Sequence, residues 1–303
     1  MLKTLQSFSM VFLMTIFCPL SHGLSITVNR PVPKQTDFSV NTYSVTSELQ
    51  ETITKAQTYL AHSTGGDPSP LQSALEVAMS LTSDSSDSEK EAALQTLREC
   101  MQTFVLEAEP TNDIAFDVTF LIKNPSFSSS AEGWSIAPTV NFGEAEIFNK
   151  TFNLYQTLKE MRCGLYRLNV TGFHRNGDYQ PGIEKEGNAG CAIYGNQTEQ
   201  PLLSLYYDEE ARQFNQTGGY ANSMQEAQQI FDKGFYTDNQ VVFEQEEDGN
   251  MVIGLKNNNS RNANWTYFRN FTLEYLGKNT GGRIVGTFRI SSPQMSNTGS
   301  WTP

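Results

Sequence analysis

Apolar positions between residues 47 and 110 recur roughly every 3.6 residues, the period of a helix with one buried face. Leu49, Ile53, Ala56 and Leu60 make the first stripe, and Ser47 with Gln50 has the spacing of a capping box at its start. "STGGDPSP" (63–70) interrupts it. Ser69 followed by Pro70 reads as a cap with proline at the first helical position, and Leu71, Ala74, Leu75, Ala78 and Leu81 form the second stripe. After the polar loop "TSDSSD" (82–87) comes a third. Ser88 and Glu91 cap it, Leu94, Leu97, Met101, Phe104 and Val105 line it, and Pro110 stops it. Three helices with short polar loops predict a small up-down-up bundle over 47–110.

Past Pro110 the period shortens to 2. "IAFDVTFLIK" (114–123), "TFNLYQTL" (151–158), "GLYRLNVTGF" (164–173), "FYTDNQVVFEQ" (235–245), "MVIGLK" (251–256) and "WTYFRNFTLEYLG" (265–277) all read as strands. Asp248-Gly249 between two such runs signals a hairpin. One helix interrupts, with Ser223 and Glu226 capping "SMQEAQQIF". Many short strands with Gly and Asn turns favour an antiparallel sandwich or jelly roll over a parallel α/β sheet. The predicted class is mainly β with a small α domain: a sandwich over 112–277 preceded by the three-helix bundle.

The ends read differently. Lys3, the apolar run from Met10 to Cys18, and small Ser21 and Gly23 before Leu24 have the layout of a secretory signal peptide over 1–23. Phe17 stands where a lipidation signal at Cys18 carries a small residue. The run is too short to cross a bilayer and no second one follows, so no transmembrane segment is expected. Residues 24–46 read as an extended lead-in and 278–303 as a polar tail. Export would leave the protein released, periplasmic or on the cell surface. The chain carries a net charge of −12, which lacks the basic footprint of a nucleic-acid or anionic-membrane binder. Cys100, Cys163 and Cys191 remain after processing, an odd number that does not make a disulfide framework. If 164–173 and 191–196 pair as antiparallel neighbours, Cys163 and Cys191 start at opposite ends and stay apart.

Several motifs now form a series: "NPSF" (124–127), "GW" (133–134), "FNLYQTL" (152–158), "GLYRLNVTGFHRNGDY" (164–179), "AIYGN" (192–196), "PLLSLY" (201–206) and "WTYFRNFTLEYLG" (265–277). The series resembles the galactose-binding-like jelly-roll modules carried by secreted proteins of glycan-feeding gut bacteria, over about residues 112–277. The resemblance implies a galactose-binding-like jelly roll behind a helical bundle, and a carbohydrate-binding module. Similar modules often carry an acidic residue, sometimes linked to a structural Ca²⁺, where this chain has Arg269. A cation cannot ligate calcium; Asn124 and Glu132 could still offer oxygens, so a structural Ca²⁺ stays open, and no other cofactor is implied.

The candidate chemistry is sparse. His174 is the one histidine in the β region, and there is no G-x-S-x-G elbow, no second His for zinc and no C-x-x-C or H-E-x-x-H motif. Asp208, Glu209 and Glu210, and Glu244, Glu246, Glu247 and Asp248, are acidic clusters near turns. The bland reading is solvated faces; the sharp one is a carboxylate pair for glycoside hydrolysis. Sugar binding asks for aromatic faces and fixed polar groups. Trp134, Tyr179, Tyr194 and Trp265 lie near strand ends, with Arg175, Asn141, Asn196, Asn258 and Arg261 as polar neighbours. Trp134 and Trp265 read more readily as core than as ligand platforms, and Arg175 as a residue that bonds carbonyls at a β corner. The expectation is a non-enzymatic, exported glycan- or polysaccharide-binding protein, with Arg175, Tyr179, Trp134, Tyr194, Trp265 and Asn141 as ligand residues. The alternative is a structural or protein-interaction module with a cell-envelope protein as partner.

Overall fold

The computed structural model describes residues 45–111, 114–128, 130–141, 143–179, 190–215 and 218–279. The expected signal peptide, nearly all of the lead-in and the tail beyond 279 lie outside them. The elements run α1 (Val45–Ala61), β1 (Ser63–Thr64), α2 (Ser69–Ser80), α3 (Asp87–Glu107), β2 (Glu109–Pro110), β3 (Phe116–Asp117), β4 (Thr139–Asn141), β5 (Glu144–Phe148) and β6 (Phe152–Met161). They continue with β7 (Gly164–Arg175), β8 (Cys191–Gly195), β9 (Thr198–Pro201), α4 (Met224–Phe231), β10 (Gln240–Gln245), β11 (Gly249–Asn257) and β12 (Trp265–Gly277).

Most of the three helical stripes is buried as spacing predicts: Leu49, Ile53 and Ala56 on α1, Leu71, Ala74, Leu75 and Ala78 on α2, and Leu94, Leu97, Met101, Phe104 and Val105 on α3, whereas Leu60 and Leu81 are only half-buried and Tyr59 takes the buried place at the end of α1. The caps move. Ser47 lies inside α1, which begins at Val45. Pro68, not Ser69, precedes α2. The capping box of α3 is Ser86 with Glu89, not Ser88 with Glu91. Both pairs have the required spacing, but the earlier start lets Lys90, a buried residue, reach back to Ser83 O at 3.4 Å.

Two antiparallel sheets pack face to face. One has the order β10-β7-β12-β5-β4, with β3 also on β12; the other is β6-β11-β8-β9. Three expectations about pairing fail. Asp248-Gly249 turns the chain between β10 and β11, but β10 pairs with β7 and β11 with β6 and β8, so the turn crosses between sheets instead of closing a hairpin. Asp248 Oδ1 holds the crossing by accepting from the Cys163 N–H at 2.7 Å. Likewise β7 and β8 lie in different sheets, so the expected pairing of 164–173 with 191–196 is absent. The three cysteines are free all the same. Finally, 114–123 is not one strand: only Phe116–Asp117 pairs, and Thr119–Leu121 forms a 3₁₀ turn.

One continuous core joins the helices to the sandwich. Tyr59 and Phe104 meet Phe116 with ring centroids 4.8 and 6.4 Å apart. Tyr59 Oη accepts from the Asp117 N–H, and Lys55 bonds the Asp117 carboxylate. Between the sheets lie Phe127, Leu154, Tyr166, Leu168, Ile193, Phe243, Leu255, Phe268, Phe271 and Tyr275. A second core covers the other face of the larger sheet. There Phe173, Trp265 and Tyr267 pack under Leu203, Leu205, Tyr220, Ala227, Ile230, Phe231 and Tyr236 from residues 203–236. The molecule is therefore layered: small sheet, first core, large sheet, second core, and a cover built from α4 and its flanking loops. α4 starts as predicted, with the Ser223 side chain accepting from the Glu226 N–H.

β12 serves both cores through one irregularity. Its register on β7 shifts between Arg269 and Thr272, at Asn270, whose φ is 54°. The bulge breaks the alternation, so Phe268 and Phe271 both reach the inner core, while Trp265 and Tyr267 stay on the outer face.

Candidate functional site

The strand ends that feed the sequence candidates fall in different places. Three of the six come together. Arg175 ends β7 with only 4% of its surface exposed. It donates to Gly177 O at 3.1 Å, Asn222 Oδ1 at 2.6 Å and Ala263 O at 3.2 Å. The Trp265 and Tyr179 rings lie 5.3 and 5.9 Å from its guanidinium carbon. Trp265 Nε1 donates to Glu146 Oε2 at 2.8 Å, and Tyr179 Oη to Tyr220 O at 3.1 Å. Burial lowers the Arg175 pKa from its usual value, and the three oxygens it bonds are neutral. The result is a clamp that ties the loops at 177, 222 and 263 to the end of β7. Residues 180–182 of the same stretch lie outside the described residues.

The other three stand apart. Trp134 lies in the inner core, stacked on Phe127 and 4.7 Å from Phe271, with Nε1 donating to Asn124 O. Tyr194 is on the outward face of the small sheet. There Gly254 sits in register between Tyr194 and Tyr155, and a Cβ at 254 would run into Leu154 O. Tyr194 Oη donates to Asn153 Oδ1 at 2.7 Å, and burial pushes its pKa up to about 12. Asn141 is exposed at the end of β4, opposite Glu144. Asn196 makes the β8–β9 turn with φ 49° and bonds Glu244 O and Gln245 Oε1.

His174 points the other way from Arg175. It is fully buried, with Nδ1 2.8 Å from Thr266 Oγ1 and Nε2 without a partner. Burial, and then the charge of Arg175, push its pKa down to about 4. Cys191 Sγ lies 3.8 Å from the same hydroxyl, and burial raises its thiol to about 12. Both groups are thus neutral and unactivated near pH 7. Glu144 is the other strongly perturbed acid. Burial raises it to about 7 against the attraction of Arg269. Its partners are structural: Arg269 Nη1 at 2.7 Å and the Tyr267 hydroxyl, with Asp232 of α4 on the same nitrogen. The predicted acidic clusters sit on turns, where Glu209, Glu210, Glu246, Glu247 and Asp248 are exposed. Among the described residues no three His, Cys, Asp or Glu side chains gather as a metal site. Asn124 Nδ2 is spent on Glu132 O.

A concavity that none of the six expected ligand residues lines lies beside the clamp. A cleft of about 370 Å³ is lined by Asn149, Lys150, Thr151, Ser260, Asn262 and Asn264. Its walls are the β5–β6 turn and the polar run "NNNSRNAN" (257–264). Asparagines fix both. Asn149, at φ 54°, donates its N–H to Asn264 O at 2.7 Å and accepts from the Ala263 N–H at 2.9 Å. The Asn264 amide accepts from Lys150 N and Asn257 Nδ2 and donates to Asn259 O and Arg261 O. Lys150 Nζ, the Thr151 and Ser260 hydroxyls and the Asn262 amide have no partner among the described residues. Phe148, 49% exposed, directly precedes Asn149 and pairs across the sheet with Trp265. The signal for this site in the sequence is the density of asparagine at 257–264, the run that also holds Asn258 and Arg261.

Two further grooves lie on the helices. One, about 370 Å³, runs between α1, α3 and the 3₁₀ turn and is crossed by the pairs Lys55–Asp117 and Arg98–Glu48. The other, about 530 Å³, is apolar, between α2 and α3, with Val77 58% exposed. No helix among the described residues is long and apolar enough to cross a membrane. Compared with known families and curated proteins, the chain matches no family model and no curated sequence.

Proposed function

We propose that this protein binds saccharide without catalysing a reaction on it, and that the ligand lies in the cleft formed by residues 149–151 and 260–264. The observation that carries this reading is the combination found there. Hydroxyl, amide and ammonium groups with no partner of their own stand on backbone that buried asparagine bonds hold in place. A sugar's hydroxyls need such pre-positioned donors and acceptors, because every group left unpaired on binding costs affinity. Phe148 supplies an exposed aromatic face next to the cleft for the apolar side of a sugar ring. The double-layered antiparallel sandwich is consistent with a galactose-binding-like jelly roll, and the reading takes the chain to be exported through its first 23 residues. Arg175, Tyr179 and Trp265 then shape the cleft's wall from behind instead of touching ligand.

A glycan array probed with the protein, a Ser260→Ala/Asn262→Ala variant and an Arg175→Ala/Tyr179→Ala variant tests this. Binding lost in the first variant, with an unchanged melting temperature, supports the cleft. Binding that survives there places the site elsewhere. No binding across the array favours the second reading, an interaction module, for which the apolar α2–α3 groove with exposed Val77 is the supporting observation.

A further inference from the structure

The cleft differs in charge from the chain that carries it. The protein has 33 Asp and Glu residues against 21 Lys and Arg, yet the cleft's lining includes Lys150 and no carboxylate. Arg261 stands exposed between the lining residues Ser260 and Asn262, its Nη1 donating to Asn176 O at 3.4 Å. Behind the wall, the buried Arg175 guanidinium reaches Ala263 O, between Asn262 and Asn264. Asp178 is near enough to favour that charge, but the atoms Arg175 bonds are all neutral. The helix groove is different, since its cations Lys55 and Arg98 are each paired with an acid. Lys150 and Arg261 have no acid partner among the described residues. On a protein with an excess of acids, Lys150 in a lining without carboxylates, with Arg261 in the adjoining chain, sets positive charge beside the free hydroxyls and amide.

We propose that the cleft selects saccharides bearing an anionic group, uronate or sulfate, over neutral ones. This rests on the binding reading above and names its ligand class. Lys150 pairs with the anion while Thr151, Ser260 and Asn262 take ring hydroxyls. Because Lys150 is exposed, its contribution is that of a screened ion pair, a selectivity of up to about fivefold that falls as salt rises.

Calorimetric titration with three oligosaccharides of equal length tests it: an oligogalacturonate, a sulfated galactan fragment and a neutral galactan fragment. Each is titrated into the protein and into Lys150→Gln. The proposal expects at least one anionic ligand to bind about two- to fivefold tighter than the neutral one, the gap closing in Lys150→Gln and narrowing in high salt. The two anionic arms tell carboxylate from sulfate. Equal affinity for neutral and anionic ligands, or an anionic preference that Lys150→Gln leaves intact, overturns the charge selection and spares the binding reading. Absence of binding to all three, together with a silent glycan array, overturns the binding reading and this inference with it.

Discussion

His174 and Arg175 are consecutive on β7 and face opposite cores of the same sheet. His174 faces the inner one, where its neighbours are Thr266 and Cys191, and it is held neutral. Arg175 faces the outer one, where it bonds three oxygens from three loops. The contrast extends to the two layers. The inner core is built mainly from side chains of opposed sheets and of α1–α3. The outer core is aromatic but stitched through with polar anchors. Asn239, fully buried, donates to Gly172 O and Tyr236 O and accepts from the Leu203 N–H. Tyr236 Oη donates to Leu205 O at 2.6 Å, and Arg269 links Glu144 of the sheet to Asp232 of α4. A cover made of loops and one short helix has many backbone groups to satisfy, whereas a sheet facing a sheet has already satisfied its own. That difference explains why the outer layer carries buried side chains such as Asn239 that bond several backbone groups at once.

The largest test of this contrast is Phe268→Ala. Phe268 is fully buried among Phe127 and Phe271, and the truncation should cost about 3–5 kcal/mol. Urea denaturation should show a lower midpoint with all probes still coincident. An early transition confined to one probe would mean the layers unfold separately.

Next is the pH dependence through His174. Its folded pKa of about 4 lies below the ordinary 6.5. Between those values the unfolded chain binds the proton and the folded one does not, so its stability contribution is complete above pH 6.5 and is lost as pH falls toward 4, at most about 3 kcal/mol. Glu144 acts in the opposite sense. Its folded pKa of about 7 exceeds the ordinary 4.5, so its contribution is present below 4.5 and is lost as pH rises through 7. The urea midpoint followed from pH 4 to 8 should fall less steeply on the acid side in His174→Gln. Glu144→Gln should remove the decline above pH 5. If both variants track the parent, neither group is as isolated from solvent as its burial implies.

The smallest effect separates the layers most directly. Asn239→Ala removes three bonds of the cover, costing about 1–3 kcal/mol. Hydrogen exchange should quicken for amides in 203–236 while β6, β8 and β11 keep their protection. Uniform quickening would contradict an outer layer held by its own anchors.

Much of the fold could be read from local pattern. The α1–α3 stripes, the Ser223–Glu226 cap and the span of β12 depend on which face of one element is buried, and hydrophobic period reports that directly. The candidate site was less legible. Trp134, Trp265 and Tyr194 were marked as aromatics near strand ends, but aromatic identity does not say which core a ring enters. The polar run 257–264 carried the cleft, yet asparagines that brace a turn and asparagines that meet a ligand look the same in a string.

The sequence by itself determined which segments are helical, to within a residue or two at their starts, and which of their positions are apolar on one side, because those depend on neighbours a few positions away. The tertiary structure decided which strand lies beside which, so that Asp248-Gly249 became a crossing between sheets and not a hairpin. It also decided that a bulge at Asn270 turns one half of β12 against the other, and that residues 203–236 close over the outer face to bury Arg175. These are choices among partners distant in the chain. They are settled by total buried area and complete hydrogen bonding, quantities no single segment carries.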